Sequence, residues 1–156
     1  MIKWTENKKV IVYFSDTPYV SMRYAVPSMT DTEIKAIKKY PFINKRTITA
    51  RLVDKVKDRI YQFDIPKNYC YDGASIPWLF RRIIGAPTDN SFLIAALVHD
   101  VMCENHHYVM NDRHFSSEVF NALLESSKVS KFKRYLMFHS VDMFQRFCDW
   151  GLEQNK

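Results

Sequence analysis

The 156-residue sequence lacks several features that would assign it to a well-defined class. Its three cysteines, Cys70, Cys103 and Cys148, are an odd number at wide spacing, which argues against a disulfide framework and indicates a reducing compartment. The first residues lack the apolar core of a signal peptide, and the longest apolar run, Phe92 to Val98, is too short to cross a bilayer. We therefore expect a cytoplasmic protein without a membrane span.

Glycine is also scarce, with three residues, and we find no internal repeat, low-complexity tract or linker that would divide the chain. The length suits one domain that buries its own core. We predict a single domain over residues 1–156, with a sheet part over about residues 9–66 and a helical part over about residues 75–150.

The first half of the chain carries strand signals. Val10 to Phe14 and Tyr19 to Val26 flank a Ser-Asp-Thr-Pro turn and are predicted to form a hairpin. Arg46 to Asp54 and Arg59 to Ile65 flank a second turn and are predicted to form another hairpin. The capping-box spacing of Thr30 to Glu33 predicts one short helix inserted between these strands.

The second half carries helix signals. A sheet followed by helices predicts an α+β fold, with an N-terminal antiparallel sheet, one inserted helix and a C-terminal cluster of about four helices. The four predicted helices are Ile76 to Ile84, Ser91 to Glu104, Asn111 or Asp112 to about Ser126, and a helix capped by Ser130 that ends near Trp150.

One turn and one helix end carry the candidate site. Asp72 and Gly73 are a strong turn dipeptide, and Ser75 occupies the N-cap position of the next helix. His99 and Asp100 end an apolar helix, so the polar groups of both segments need partners, and we expect the turn to lie against the helix end. The predicted structural cluster is Asp72, Gly73, Ser75, His99, Asp100 and Arg113.

Two strings in this region resemble an uncharacterised domain family of tailed bacteriophages and prophages. F-D-I-P-K-N-Y-C-Y-D-G-A-S-I-P, from Phe63 to Pro77, is similar to the family pattern F-x-V-P-x-G-F-x-T-D-G-A-S-I-P. A-A-L-V-H-D, from Ala95 to Asp100, matches the family's A-A-x-x-H-D segment. The resemblance implies a phage origin, with expression in the host cytoplasm and incorporation into the virion as a further expectation, and it brings no established reaction.

The sequence departs from the family pattern at several positions. Asn68 stands where the family has Gly, and Tyr71 stands where it has Thr. Ser116 and Ser117 replace the Ala-Asp of the family's third segment, R-x-x-A-D-x-x-F. The family's third acidic position is therefore absent here, so a further carboxylate has to come from elsewhere in the chain.

A metal-dependent hydrolase is the alternative function. Asp72, His99, Asp100, Cys103 and His107 are ligand types for zinc or manganese, and three of them fall on one helical face at spacings of four residues. The string A-A-L-V-H-D also resembles the helix of His-Asp phosphohydrolases, but that family needs an upstream histidine and none precedes His99. We therefore predict no tightly bound cofactor.

Nucleophilic catalysis is a further alternative. Ser75 follows a sharp strand-to-helix turn, as the nucleophile of a hydrolase elbow does, but Pro77 hinders a tight elbow and a helix cap explains the same serine. Cys103 is the rival nucleophile, although a cysteine in an apolar helix is more often a small buried residue. The catalytic candidates are His99, Asp100, Asp72 and Ser75.

Charge and aromatic residues point to partners. The net charge is +6, and Lys131 to Tyr135 interleaves bases with aromatics, yet the basic residues are spread over separate helices and do not favour nucleic acid. The last helix has an apolar stripe too broad for one face of a lone amphipathic helix; a contact surface opposite the core would explain it, although core packing alone is the simpler explanation. Of the competing classes, we favour an interaction or virion-assembly module that binds other phage proteins or itself.

Overall fold

The computed structural model describes residues 1–72, 90–104 and 113–147. Within these ranges, two antiparallel sheets and one inserted helix precede three further helices, which confirms the predicted α+β fold. The strands are β1 (Ile2–Glu6), β2 (Val10–Phe14), β3 (Val20–Met22), β4 (Phe42–Asn44), β5 (Ile48–Asp54), β6 (Arg59–Ile65) and β7 (Cys70–Tyr71). The helices are α1 (Asp31–Lys39), α2 (Asn90–Glu104), α3 (Arg113–Ser126) and α4 (Lys131–Phe147).

The first sheet has the strand order β1-β2-β5-β6, and every neighbouring pair is antiparallel. The predicted hairpin of β5 and β6 is confirmed, with Asp54 opposite Arg59 and Ile48 opposite Ile65. Alternate residues of β5 point into the core, because successive side chains of a strand face opposite sides. The sheet therefore presents one continuous apolar face to the helices.

The predicted hairpin of Val10–Phe14 with Tyr19–Val26 is wrong. Strand β2 pairs with β1 and β5, whereas β3 pairs with β4 in a second sheet of order β3-β4-β7. The chain does not turn back after β2, because the Ser15 N–H donates to the Thr49 carbonyl (2.9 Å) and so continues along β5. The edge strand β1 was missed, since its side chains are mostly exposed and lack a buried alternation.

The two sheets are joined by the side chain of Asn44. This residue is fully buried, and its amide Nδ2 donates to the carbonyl oxygens of Arg46 (2.6 Å), Ile65 (3.4 Å) and Pro66 (3.0 Å). Its backbone carbonyl accepts from the Asn68 N–H (2.8 Å). One residue of the second sheet therefore fixes both the entry to β5 and the exit from β6.

The helices close the core over the first sheet. Helix α3 packs on β1 and β2, and α2 and α4 pack on α3. Helix α2 is buried from Phe92 to His99, because it has neighbours in both α3 and β3. Its observed start agrees with the prediction to one residue.

The termini of the other helices follow their local signals. The capping box of Thr30 and Glu33 begins α1 as predicted, and the Ser130 hydroxyl accepts from the Lys133 N–H (3.4 Å) at the start of α4. The predicted helix Ile76 to Ile84 and the predicted end of α4 near Trp150 lie outside the described residues. No helix within residues 1–72, 90–104 and 113–147 is long and apolar enough to cross a membrane.

We predict that Asn44→Ala lowers the free energy of unfolding by about 2 to 4 kcal/mol, because three carbonyls in or near the core lose a donor. Chemical denaturation followed by circular dichroism measures the change. Asn68→Gly is the matched control in the same turn: Asn68 has φ of 69°, which Gly adopts without strain, so its effect should stay within about 1 kcal/mol. Equal losses in both variants would contradict the role given to Asn44.

Candidate functional site

A buried tyrosine holds the end of β7 against α2. Tyr71 pairs with Phe42 across the second sheet, and its hydroxyl donates to the Leu93 carbonyl of α2 over 2.9 Å. Burial, followed by the charge of Asp100, raises the pKa of Tyr71, so its phenol remains a hydrogen-bond donor at neutral pH. The residue after Tyr71, Asp72, is thereby brought to α2.

Asp72 and Asp100 form a hydrogen-bonded pair of carboxyl groups. The Asp72 backbone N–H donates to the Asp100 carboxylate, and the two side chains also bond each other. The Asp100 side chain is only 18% exposed. Burial raises the pKa of Asp100 well above its usual value of 3.8, and the charge and hydrogen bond of Asp72 and the charge of Glu104 act in the same direction.

This geometry defines a carboxyl cluster of Asp72, Asp100 and Glu104. Two carboxylates in contact repel each other strongly, which disfavours the ionised form of the buried Asp100. A carboxylic acid with a raised pKa can donate a proton at a pH where an ordinary carboxylic acid is already ionised. The cluster is therefore suited to proton transfer as well as to holding β7 on α2.

Tyr69 lies beside the carboxyl cluster and stacks on Tyr71, with ring centroids 6.3 Å apart. Burial, then the hydrogen bond and charge of Glu104, raise the pKa of Tyr69. Its hydroxyl is shielded from water, yet it has no well-aligned hydrogen bond to any group among the described residues. Its interaction with Glu104 is therefore closer to a charge contact than to a regular hydrogen bond.

His99 and Cys103 contact each other one helical turn apart. The Cys103 Sγ lies 3.7 Å from Nδ1 and 3.6 Å from Nε2 of His99, so the sulfur is not aligned with one ring nitrogen. The His99 ring is buried against Phe120, with centroids 5.3 Å apart, and its Nδ1 lies 3.6 Å from Asp100 Oδ1. This arrangement is that of a packed pair and does not present an aligned nucleophile and base.

The structure brings together only part of the predicted site. Arg113, which we assigned to the cluster, donates from its guanidinium to both the carbonyl and the carboxylate of Asp142 on α4. Glu118 binds Lys9 and His114 at a different place on α3, and Ser117 is fully buried in that helix. The predicted residues Gly73, Ser75, Pro77, His106, His107 and Asp112 lie outside the described residues.

The metal alternative has limited geometric support. In the described parts of the chain, no three His, Cys, Asp or Glu side chains are arranged to hold a metal ion. Asp72 and Asp100 are hydrogen-bonded to each other, and the His99 ring packs on Phe120 and contacts Cys103. The proposed ligand His107 is not among the described residues.

Sequence reasoning missed Tyr69 and Tyr71 as parts of the site. Both lie between the predicted sheet part, which ends near residue 66, and the predicted helical part, although they flank Cys70 directly before the Asp72 turn. A pair of tyrosines with period-two spacing places both rings on one side of the strand, where phenol groups can reach an adjacent helix end. That spacing was the available signal.

Comparison with known proteins places the chain in a family. A model described as "Protein of unknown function (DUF1353)" matches residues 47–141, which include strands β5 to β7 and the carboxyl cluster. The chain belongs to the DUF1353 family.

Two curated proteins of Sinorhizobium fredii are similar to parts of the chain. "Uncharacterized protein y4iH" is 34% identical over 73 residues, which cover 47% of this chain and 29% of that protein. "Uncharacterized protein y4jT" is 32% identical over 92 residues, which cover 59% of this chain and 26% of that protein. The chain thus matches less than a third of the length of either relative, and no solved structure matches it.

We predict that Asp100→Asn changes how stability depends on pH. Because the pKa of Asp100 is raised on folding, its contribution to stability is complete below the usual pKa of 3.8 and is lost as pH rises from there through the folded-state pKa. Asparagine donates to Asp72 without ionising, so Asp100→Asn should flatten this decline and be at least as stable as the wild type at pH 7. Thermal melts from pH 4 to about pH 9 measure it.

Asp100→Ala and Asp16→Asn are the controls for this measurement. Alanine cannot replace the hydrogen bond, so Asp100→Ala should be about 1 to 2 kcal/mol less stable than Asp100→Asn at pH 7. Asp16 is an exposed surface acid paired with Arg46, and Asp16→Asn should leave the slope above pH 5 unchanged. An unaltered pH profile in Asp100→Asn would contradict the raised pKa of Asp100.

Proposed function

We propose that this protein is a bacteriophage-encoded interaction module that binds an acidic partner protein of the same phage through one face of α4. The phage origin is supported by the resemblance of the segments at Phe63–Pro77 and Ala95–Asp100 to the pattern of a phage domain family. The interaction role is supported by the surface of α4. Its place of action is the host cytoplasm during infection, with incorporation into the virion as a consequence of assembly.

The observation that carries this proposal is an exposed stripe along α4. Phe132, Tyr135, His139 and Met143 follow one another at spacings of three, four and four residues, which places them on one side of the helix. Phe132 is 65%, Tyr135 61% and Met143 46% exposed. The opposite side of α4 packs into the core, so the stripe is extra apolar surface that the fold does not use.

The charges beside this stripe indicate the chemistry of the partner. Lys131 and Lys133 flank Phe132 on both sides of the stripe and are exposed. The chain as a whole carries a net charge of +6. A partner with acidic residues around an apolar or aromatic surface would complement both features.

Arg134 does not belong to this surface. It lies in the basic and aromatic stretch from Lys131 to Tyr135, but its guanidinium lies 3.3 Å from the Glu125 carboxylate and its side chain is only 13% exposed. Arg134 therefore joins α4 to α3, and the docking charges are Lys131 and Lys133. Reversal of the charge at Arg134 would test the fold rather than the partner surface.

We predict that Phe132→Ser with Tyr135→Ser reduces capture of an acidic phage protein at least tenfold without changing the melting temperature by more than a few degrees. Both side chains are exposed, so their removal costs little stability. Tagged protein from infected cells would be compared by quantitative mass spectrometry. Lys131→Glu with Lys133→Glu should weaken the same capture, and rising salt should weaken it in the wild type.

Tyr24→Ser is the matched control, because Tyr24 is 71% exposed and lies outside α4. It should leave capture unchanged. A protein that stays monomeric and binds nothing through α4, or capture that survives the serine substitutions, would contradict the proposal. If the same side chains instead capture a second copy of the chain, the function is self-association. If they capture RNA, the function is nucleic-acid binding, and in both cases the acidic phage partner is wrong.

A small hydrolase is the second candidate, because the carboxyl cluster supplies a proton donor and a carboxylate in contact. Asp100 would act as general acid and Asp72 as general base, with His99 and Tyr69 packed around Asp100 and Glu104. The metal-dependent form would use His99 and Asp100 as ligands to zinc or manganese.

We predict that the purified protein contains no stoichiometric metal and does not hydrolyse phosphodiester or peptide substrates between pH 4 and pH 8. Elemental analysis and assays with and without added zinc or manganese measure this. Hydrolysis that is abolished in Asp100→Asn but retained in Asp16→Asn would move the hydrolase to first place. About one bound metal per chain, lost in His99→Ala, would establish its metal-dependent form.

A further inference from the structure

We infer that a cavity between the first sheet and α3 binds the carboxylate of a small ligand or peptide end that carries a compact apolar group. The cavity has a volume of about 180 Å³ and lies away from both the carboxyl cluster and the α4 stripe. Its lining includes Val10, Asp54 and Val56 of the first sheet and its turn, His114, Phe115 and Glu118 of α3, and Lys9.

The inner wall of this cavity is apolar. Val10 is fully buried at the start of β2, and Phe115 is 4% exposed on α3. Val56, in the turn after β5, contributes a side chain that is 70% exposed at the rim. A dry cavity of about 150 Å³ accommodates a benzene ring, so the volume here suits a phenyl or branched aliphatic group.

Both carboxylates at the cavity already have partners within the chain. Glu118 Oε1 receives Lys9 Nζ at 2.6 Å and lies 3.2 Å from His114 Nε2. Asp54 Oδ1 accepts the backbone N–H groups of Val56 and Lys57, each at 3.0 Å, and its Oδ2 lies 3.7 Å from Arg59 Nη2. Each carboxylate is therefore already paired with a cation of the chain.

The Lys9 ammonium at the cavity keeps N–H donors for a ligand. The Lys9 ammonium has three N–H donors, and among the described residues its side chain bonds Glu118 alone. Its side chain is 53% exposed, so the ammonium stands at the rim, beside the His114 ring, which is 57% exposed. An anionic group with planar oxygens would accept hydrogen bonds from the remaining Lys9 N–H donors, while the apolar end of the same ligand fills the cavity.

A carboxylate fits this arrangement better than a phosphate ester does. One exposed lysine with one imidazole supplies few donors, whereas phosphate sites gather several backbone N–H groups or arginines. The apolar wall would also leave a phosphate's oxygens without partners. The ligand class is therefore an apolar monocarboxylate, either a free acid or the C-terminal carboxylate of a peptide that ends in an apolar residue.

The test uses phenylacetate, its uncharged counterpart phenylacetamide, and an acetylated tripeptide ending in phenylalanine with a free or an amidated C-terminus. Two-dimensional NMR of the full chain would follow the amides of Val10, Val56 and Phe115. We expect saturable shifts with phenylacetate or the free-acid peptide, and at least tenfold weaker binding of the amides. The tighter of the two acids identifies the source of the carboxylate.

Substitutions locate the binding. Lys9→Gln should weaken binding at least tenfold, whereas Lys8→Gln, one residue away and outside the cavity lining, should not change it. Because loss of Lys9 also unpairs Glu118, Val56→Trp provides a second variant at an exposed rim position, where the larger ring should block the cavity. No saturable shift with either acid, equal binding of the amides, or unchanged binding in Val56→Trp would overturn the inference and leave an empty packing space.

Discussion

The buried amide of Asn44 is the contact on which the position of the candidate site depends. Strand β7 has only two residues, so its own ladder hydrogen bonds cannot fix it in place. Asn44 binds carbonyls at the exit of β6 and pairs through its backbone with Asn68 and Tyr69, which sets where β7 begins. The Tyr71 hydroxyl then reaches α2, and the contact between Asp72 and Asp100 follows from that placement.

Local signals predicted the parts of the fold that local contacts determine. The capping box at Thr30, the hairpin of β5 and β6 and the apolar helix α2 each depend on residues close in sequence, and each is observed. The pairing of β2 with β5 joins residues far apart in the sequence, such as Val10 and Asp54, and no local pattern specifies it. Strands β1 and β2 are close in sequence, but their pairing was missed because β1 lacks a buried alternation. Asn68 has a left-handed φ of 69°, which Asn adopts more readily than most residues other than Gly.

The candidate site was predictable where polar groups needed partners and unpredictable where orientation decided the outcome. Asp72 and Asp100 were expected to meet because each ends a buried segment, and the structure places them in contact. Arg113 was expected to join them, but it begins α3 on the side that faces α4, where Asp142 is its acceptor. The role of Tyr69 depends on the position of Glu104 in α2, which is a tertiary relation that sequence spacing alone does not contain.

The contact between Asp72 and Asp100 is not needed to hold β7 on α2. Tyr71 already makes that connection with a neutral hydrogen bond, and replacing a buried charged pair with neutral groups is often neutral or stabilising. Burial holds the pKa of Asp100 above its usual value, which is a property that carboxyl groups at functional sites often have. The α4 stripe lies on a helix that packs on α3, so the two features occupy separate surfaces and each can be lost while the other is retained.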